Sequence, residues 1–166
     1  MRYAKFRNID GKPFMRNTHL EELRINPNSG RLLRANPENV AFSWQGPGGR
    51  VVVLKLNRPG GRVPSDTPFL EHGADIADMD WDPFDDALLA TGGEDAHVKL
   101  WRVPAGGLGE NRREPDVDLV GHYKRLCTVG FHPTVGGLLA TTAMDLALRL
   151  WDVEKAATAA ELAHLH

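Results

Sequence analysis

The sequence predicts an all-β chain made of four-stranded antiparallel meanders stacked side by side. The first observation behind this is a near duplication: residues 88–101 read LLATGGEDAHVKLW and residues 138–151 read LLATTAMDLALRLW. When residues 72–103 are set against 122–153 at an offset of 50, ten of 32 pairs are identical without a gap. They include His72/His122, Pro83/Pro133, Thr91/Thr141, Asp95/Asp145 and Trp101/Trp151. Two copies at a fixed spacing mark a repeat architecture. The second observation is that each copy breaks into short apolar runs between turn formers, the pattern of strands linked by hairpins. One such meander cannot cover both of its faces, so it stacks on neighbours.

Taken in order, Gly46-Pro47-Gly48-Gly49 reads as a hairpin turn. Ile76–Trp81 is a strand closed by the Asp82-Pro83 turn. Asp78, Asp80 and Asp82 alternate, so they are expected on one side, with Ala77, Met79 and Trp81 on the other. Leu88–Thr91 is a small apolar strand, and Gly92-Gly93-Glu94-Asp95 is a tight turn in which glycine is expected to supply positive φ. Val98–Val103 is the next strand. The second copy follows the same order, and Cys127, aligned with Ala77, is expected to be a core thiol.

Four polar or aromatic residues recur in both copies: His72, Thr91, Asp95 and Trp101, then His122, Thr141, Asp145 and Trp151. A hydrolase triad would not normally occur twice at one spacing with a tryptophan attached, and no G-x-S-x-G elbow is present. The histidine precedes the first strand, the aspartate sits in the tight turn, and threonine and tryptophan lie on adjacent strands. A buried hydrogen-bonded chain Trp–Thr–His–Asp is therefore expected to tie inner and outer strands of each sheet. No catalytic residue is assigned, and the chain is not expected to be an enzyme.

Composition narrows the partners. The chain has 166 residues, 42% hydrophobic and 25% charged, which suits one globular domain with a real core. Cys127 is the only cysteine, so no internal disulfide forms, which fits a reducing compartment. No apolar run approaches the roughly 20 residues of a membrane span. The start, MRYAKFRNIDGKPF, has no apolar core of a signal peptide, and none is expected. Net charge is −2, yet residues 1–34 hold eight Lys or Arg against three acids, giving +5 there and −7 in the remainder. A basic end on an acidic body suggests an acidic partner for that end. It carries only Phe6 and Phe14 as stacking aromatics, which argues against nucleic acid. The alternating aspartates do not fit a calcium loop, since Pro83 and Leu89 occupy the positions that want glycine and glutamate. His97, His132, His164 and His166 lack companions at zinc-binding spacing. No metal or cofactor is expected.

Gly121-His122 followed by Trp151-Asp152 is the GH…WD pattern of WD40 repeats, with His72 and Trp101-Arg102 as a degenerate copy. Four stretches then occur in order: KFRNIDGKP (5–13), LEELRI (20–25), NPENVAF (36–42) and GGRVVVLKL (48–56). Together they resemble the amino-terminal segment of coronins, the actin-binding propeller proteins. The stretch from Asp78 to Leu108 is most similar to the long coronins with two tandem propellers.

The resemblance implies a seven-bladed propeller. At roughly 40–50 residues per blade, this chain supplies a partial WD40-type β-propeller of about three four-stranded antiparallel blades. It is expected to be a fragment whose remaining blades are missing. Residues 1–34 would be the basic amino-terminal segment, with a ring-closing strand around Phe6. Residues 35–70 would be a degenerate first blade, with WD40 repeats at 71–115 and 116–166, the latter ending in a tail. In EELRI, Arg24 occupies the position of a coronin arginine implicated in filament binding, and Glu22 matches an acidic position of the motif. Lys5, Arg7, Lys12 and Arg16 are expected to share that contact with actin's acidic surface. The implied function is a non-enzymatic actin-filament-binding module in cytoskeletal organisation or membrane trafficking. The implied location is cytoplasmic, cytoskeleton-associated or at the Golgi or vesicle periphery, with other cytoskeletal or trafficking proteins as further partners. The rival reading is a general WD40 scaffold without direct actin binding, because fold alone does not choose a partner.

Overall fold

The computed structural model describes residues 20–21, 24, 33–58 and 61–163, and among them it holds strands and no helix. In chain order these are β1 (Leu20–Glu21), β2 (Leu33–Ala35), β3 (Asn39–Trp44), β4 (Arg50–Lys55), β5 (Gly61–Arg62), β6 (Phe69–Glu71), β7 (Ile76–Trp81), β8 (Leu88–Gly93), β9 (His97–Arg102), β10 (Val117–Val120), β11 (Leu126–Phe131), β12 (Leu138–Ala143), β13 (Ala147–Asp152) and β14 (Ala157–Ala163). Three four-stranded sheets result, ordered β2-β3-β4-β6, β7-β8-β9-β10 and β11-β12-β13-β14, and β1 pairs separately with β5. Every pairing inside the four-stranded sheets is antiparallel. These are three blades of a propeller.

The blades do not coincide with the segments 35–70, 71–115 and 116–166. The first begins at Leu33 and its outer strand β6 ends at Glu71, while β10, outer strand of the second blade, lies beyond residue 115. The cause is that each sequence repeat opens on the outer strand of the blade before it. His72 directly follows β6, yet its side chain enters the second blade.

Alternation decides what each blade buries. On β3, Val40, Phe42 and Trp44 join one cluster with Val52 and Leu54, whereas Ala41 joins another with Val51 and Val53. The second cluster is the seam between first and second blades and contains Ile76, Met79, Trp81, Leu89 and Trp101. The seam between second and third blades is built from Leu88, Ala90, Val98 and Leu100 against Leu126, Val129, Phe131 and Leu139. Each large side chain fully buried at these seams contributes about 1.5–3 kcal/mol relative to exposure.

Three local expectations are corrected. Gly92 and Gly93 lie inside β8, and the positive φ falls on Ala96 (69°) and its counterpart Leu146 (64°). Gly92 is needed for close approach: a Cβ there would stand 2.5 Å from Val129 Cγ2 and 2.7 Å from Leu126 Cδ1 of the third blade. Ala77 leaves the side of Met79 and Trp81, because a register shift between Ile76 and Asp78 inserts it as a bulge and it packs on the third-blade seam. Cys127 occupies the matching bulge of β11 but is exposed, since no blade covers that side of the third sheet among the described residues.

Candidate functional site

The recurring side chains meet in two hydrogen-bonded chains. In the second blade, Trp101 Nε1–H donates to Thr91 Oγ1 (2.9 Å), which lies 2.8 Å from His72 Nδ1 and also within bonding distance of the Lys99 carbonyl (3.4 Å). His72 Nε2–H then donates to Asp95 Oδ1 (3.2 Å). In the third blade, Trp151 Nε1–H donates to Thr141 Oγ1 (2.8 Å), and that hydroxyl donates to His122 Nε2 (2.9 Å). His122 Nδ1–H donates to Asp145 Oδ2 (2.9 Å). The imidazole is thus turned over between the two copies. In both, the carboxylate can only accept, so the imidazole donates to it from one ring nitrogen and meets the threonine hydroxyl with the other.

The two copies differ in burial. The Asp145 side chain is fully buried, whereas that of Asp95 is 30% exposed. Burial pushes the Asp145 carboxyl up, but hydrogen bonds from His122 and from the Ala147 and Tyr123 N–H groups outweigh it and hold the group below the ordinary carboxylate range. Asp95 behaves alike: burial is outweighed by His72 and by the His97 N–H. Both threonine hydroxyls are buried and engaged on two sides, so neither reaches a substrate. The chains link the outer strand of one blade, through the histidine that follows it, to the two middle strands of the next. They do not reach the outer strand of their own sheet, contrary to the sequence expectation.

A second polar feature runs through the innermost strands. Asp78 Oδ2 accepts from Val129 N–H (2.9 Å) and Asp80 Oδ2 from Phe131 N–H (3.0 Å), so strand β7 caps strand β11 of the next blade. From the other side Arg34 on β2 donates through Nε to the Met79 carbonyl (2.9 Å) and stands 3.3 Å from Asp80. Burial raises the Asp80 carboxyl, opposed by the Phe131 N–H and Arg34. One row therefore crosses all three blades. The alternation of these aspartates gives their shared side of the strand but not their partners in the neighbouring blades. The signal available was acids on a strand otherwise destined for the core.

Among the predicted contact residues, Arg24 is exposed and not in a strand, and its carbonyl accepts from Gln45 N–H (2.6 Å) at the β3–β4 turn. Lys5, Arg7, Lys12 and Arg16 lie outside the described residues, as do Phe6, Glu22, His164 and His166. Among the described residues no group of three potential metal ligands comes together.

Residues 1–61 match the family described as "Domain of unknown function (DUF1899)", and residues 64–102 match "WD domain, G-beta repeat". The latter range runs from before β6 to the end of β9, the offset between repeat and blade noted above. Human Coronin-7 is 39% identical over 158 residues, covering 93% of this chain and 17% of its own length. A coronin-like protein of Schizosaccharomyces pombe is 32% identical over 161 residues, covering 93% of this chain and 27% of that protein. The chain thus spans about a sixth of Coronin-7 and about a quarter of the shorter yeast protein. The crystal structure of the WD40 domain of Toxoplasma gondii coronin superposes with a TM-score of 0.80 at 30% identity, covering 90% of this chain and 39% of that one.

Proposed function

We propose that this chain, a coronin-family part of a WD40 propeller, is a non-enzymatic binding module whose partner is the actin filament. The observation that carries the proposal is the placement of Arg24. Its backbone is held to the first blade by the 2.6 Å bond from Gln45, while its side chain is exposed. A guanidinium fixed at its base and free at its tip can meet a carboxylate with both prongs. It belongs to a 34-residue stretch of charge +5 attached to a body of −7, so an acidic partner is steered to that end. Lys5, Arg7, Lys12 and Arg16 belong to the same stretch and extend the contact. The two Trp–Thr–His–Asp chains serve as staples between blades. The setting is cytoplasmic, at the cytoskeleton or the Golgi or vesicle periphery.

Co-sedimentation with filaments of the wild-type chain and of R24D tests this. Charge reversal at Arg24 should weaken binding about tenfold at low salt, and the difference should shrink as ionic strength shortens the screening length to about 8–10 Å. Circular dichroism should be unchanged. Equal binding at low salt would remove Arg24 from the contact. Absence of filament binding by both proteins would leave the general scaffold as the reading.

A further inference from the structure

The internal repeat provides a control for every surface residue, because the second blade shows what the frame needs at each position. At the corner formed by the β10–β11 loop and the β12–β13 turn, the third blade departs from that control. Tyr123, Lys124, Arg125, Met144 and Leu146 stand where the second blade has Gly73, Ala74, Asp75, Glu94 and Ala96. Small and acidic residues have become aromatic, basic and long apolar ones. The frame itself is unchanged: Met144 N–H donates to the Arg125 carbonyl (3.0 Å), as Glu94 N–H donates to the Asp75 carbonyl (2.9 Å).

The replacements are also assembled. Tyr123 O–H donates to the Asp145 carbonyl (3.4 Å), which ties the side chain to the turn that also carries Met144 and Leu146. Tyr123 is nevertheless 68% exposed, Met144 49% and Leu146 77%. Lys124 and Arg125 are exposed beside them, and Arg125 also reaches Glu94 (3.1 Å). Apolar side chains held in water do nothing for the fold, and tyrosine, methionine and arginine are the types enriched at protein interfaces.

A neighbouring blade leaves such a corner open. Gly73 and Glu94, the counterparts of Tyr123 and Met144, are exposed although the third blade packs alongside them; Ala74 and Asp75, the counterparts of Lys124 and Arg125, are half-buried, and Ala96, the counterpart of Leu146, is buried. A symmetric contact between two copies would set Lys124 and Arg125 against their own equivalents, a like-charge pairing.

We infer that the Tyr123–Lys124–Arg125–Met144 corner of the third blade is a docking site for an acidic segment of a partner protein, one that places an apolar side chain against Tyr123 and Met144 and carboxylates against Lys124 and Arg125. This site is on the third blade, whereas Arg24 of the proposed filament contact is tied to the first.

The test uses the whole chain and a fluorescein-labelled peptide with two adjacent leucines flanked by two glutamates on each side, read by anisotropy. A scrambled peptide with lysines in place of the glutamates serves as control. The wild-type chain should bind the acidic peptide and not the control, more weakly as salt rises. Grafting the second blade's residues, as Y123G, K124A, R125D and M144E together, should weaken binding at least about tenfold, the scale of an interface hot spot. Because the second blade already folds with these residues, and the Arg125–Glu94 pair that R125D removes is solvent-exposed, the thermal midpoint should change little. If the graft does unfold, K124E and M144E taken singly carry the test, each expected to lose several-fold, with salt flattening the K124E effect alone. No binding by wild type, or equal binding by the graft, overturns the inference. So does a graft that turns a dimer into a monomer, which would make a second copy the occupant. A graft that abolishes filament sedimentation would merge the corner with the filament contact and overturn a separate partner.

Discussion

Replacing Asp145 by alanine should cost the third blade far more than the matching change at Asp95 costs the second. Asp145 accepts from His122 Nδ1–H at 2.9 Å, from Ala147 N–H at 3.1 Å and from Tyr123 N–H at 3.3 Å. Its side chain and that of His122 are both fully buried, so bulk solvent does not reach the bonds that the carboxylate makes. An orphaned buried donor costs about 1–3 kcal/mol, and the loss of the backbone bonds pushes Asp145→Ala to the top of that range. Asp95 holds His72 at 3.2 Å and is 30% exposed, so solvent can re-satisfy the imidazole and Asp95→Ala should cost about 0.5–1.5 kcal/mol. At about 2–4 °C per kcal/mol for a chain of this size, Asp145→Ala should lower the thermal midpoint by roughly 5–10 °C and Asp95→Ala by less than half of that. The sign of the pH dependence follows from the depressed Asp145 carboxyl. Its contribution is present above the unfolded value of about 3.9 and fades as pH falls through the lower folded value. The gap between wild type and Asp145→Ala should therefore be constant at neutral pH and close below about pH 4. Scanning calorimetry from pH 7 to 3 checks both claims. An unchanged midpoint for Asp145→Ala, or a larger loss for Asp95→Ala, would refute the account of the staple.

Gly92→Ala should destabilise the chain by about 1–3 kcal/mol, because its Cβ enters the packed seam beside Val129 and Leu126. Thr142→Ala, the matching site on the uncovered side of the third blade, should stay within about 0.5 kcal/mol; urea midpoints for the pair decide it. Asp78→Ala should cost about 1–3 kcal/mol by orphaning the Val129 N–H across the seam, and faster hydrogen exchange of that amide would report the loss directly. The isolated chain should associate as concentration rises, which sedimentation velocity would show; a sharp, reversible, concentration-independent transition of a monomer would argue against it.

Much of the fold was legible because the chain repeats itself. Identity at His72/His122, Thr91/Thr141, Asp95/Asp145 and Trp101/Trp151 placed turn, strands and hydrogen-bonding partners together, and the geometry brings those side chains within bonding distance. What escaped depends on the neighbouring blade. Gly92 and Gly93 look like a turn, yet both lie in β8, and Gly92 is dictated by Val129 and Leu126 of the next blade. The turn instead uses alanine and leucine with positive φ, which no residue preference announces. Likewise Arg34 counted only as one more basic residue, since nothing local reveals that its guanidinium crosses to Asp80. The site was less legible than the fold. A propeller contact is a matter of which exposed side chains converge, and Tyr123 and Met144 are brought to one corner by bonds between a loop and a turn, from Met144 N–H to the Arg125 carbonyl and from Tyr123 to Asp145.

The misplaced cysteine makes the same point about burial. On the second blade, Leu88, Ala90, Val98 and Leu100 are buried by the third. Their counterparts Leu138, Ala140, Leu148 and Leu150 are just as apolar and point the same way, but they are only half-buried. Cys127 lies with this set, as Ala77 lies with the other, and its exposure follows from the face rather than from the residue. The third blade thus carries the side chains of an inner blade without a neighbour on that side among the described residues. Thr142 confirms the difference from within: where the second blade needs Gly92 to admit Leu126 and Val129, the third tolerates a branched hydroxyl residue that bonds Thr128 at 2.7 Å. A face that is apolar by descent from the repeat, yet edged with exposed threonine and a thiol, satisfies its polar groups locally while its leucines still gain about 25 cal/mol for each Å² they can cover. Any blade or second copy that lies on it is held by the same leucine and alanine surface that the second blade offers to the third, without the two carboxylates. At positions 128 and 130 the third blade has threonine and glycine where Asp78 and Asp80 cap the next strand. A partner on that side would lack the two carboxylate bonds that fix the register of β11 against β7.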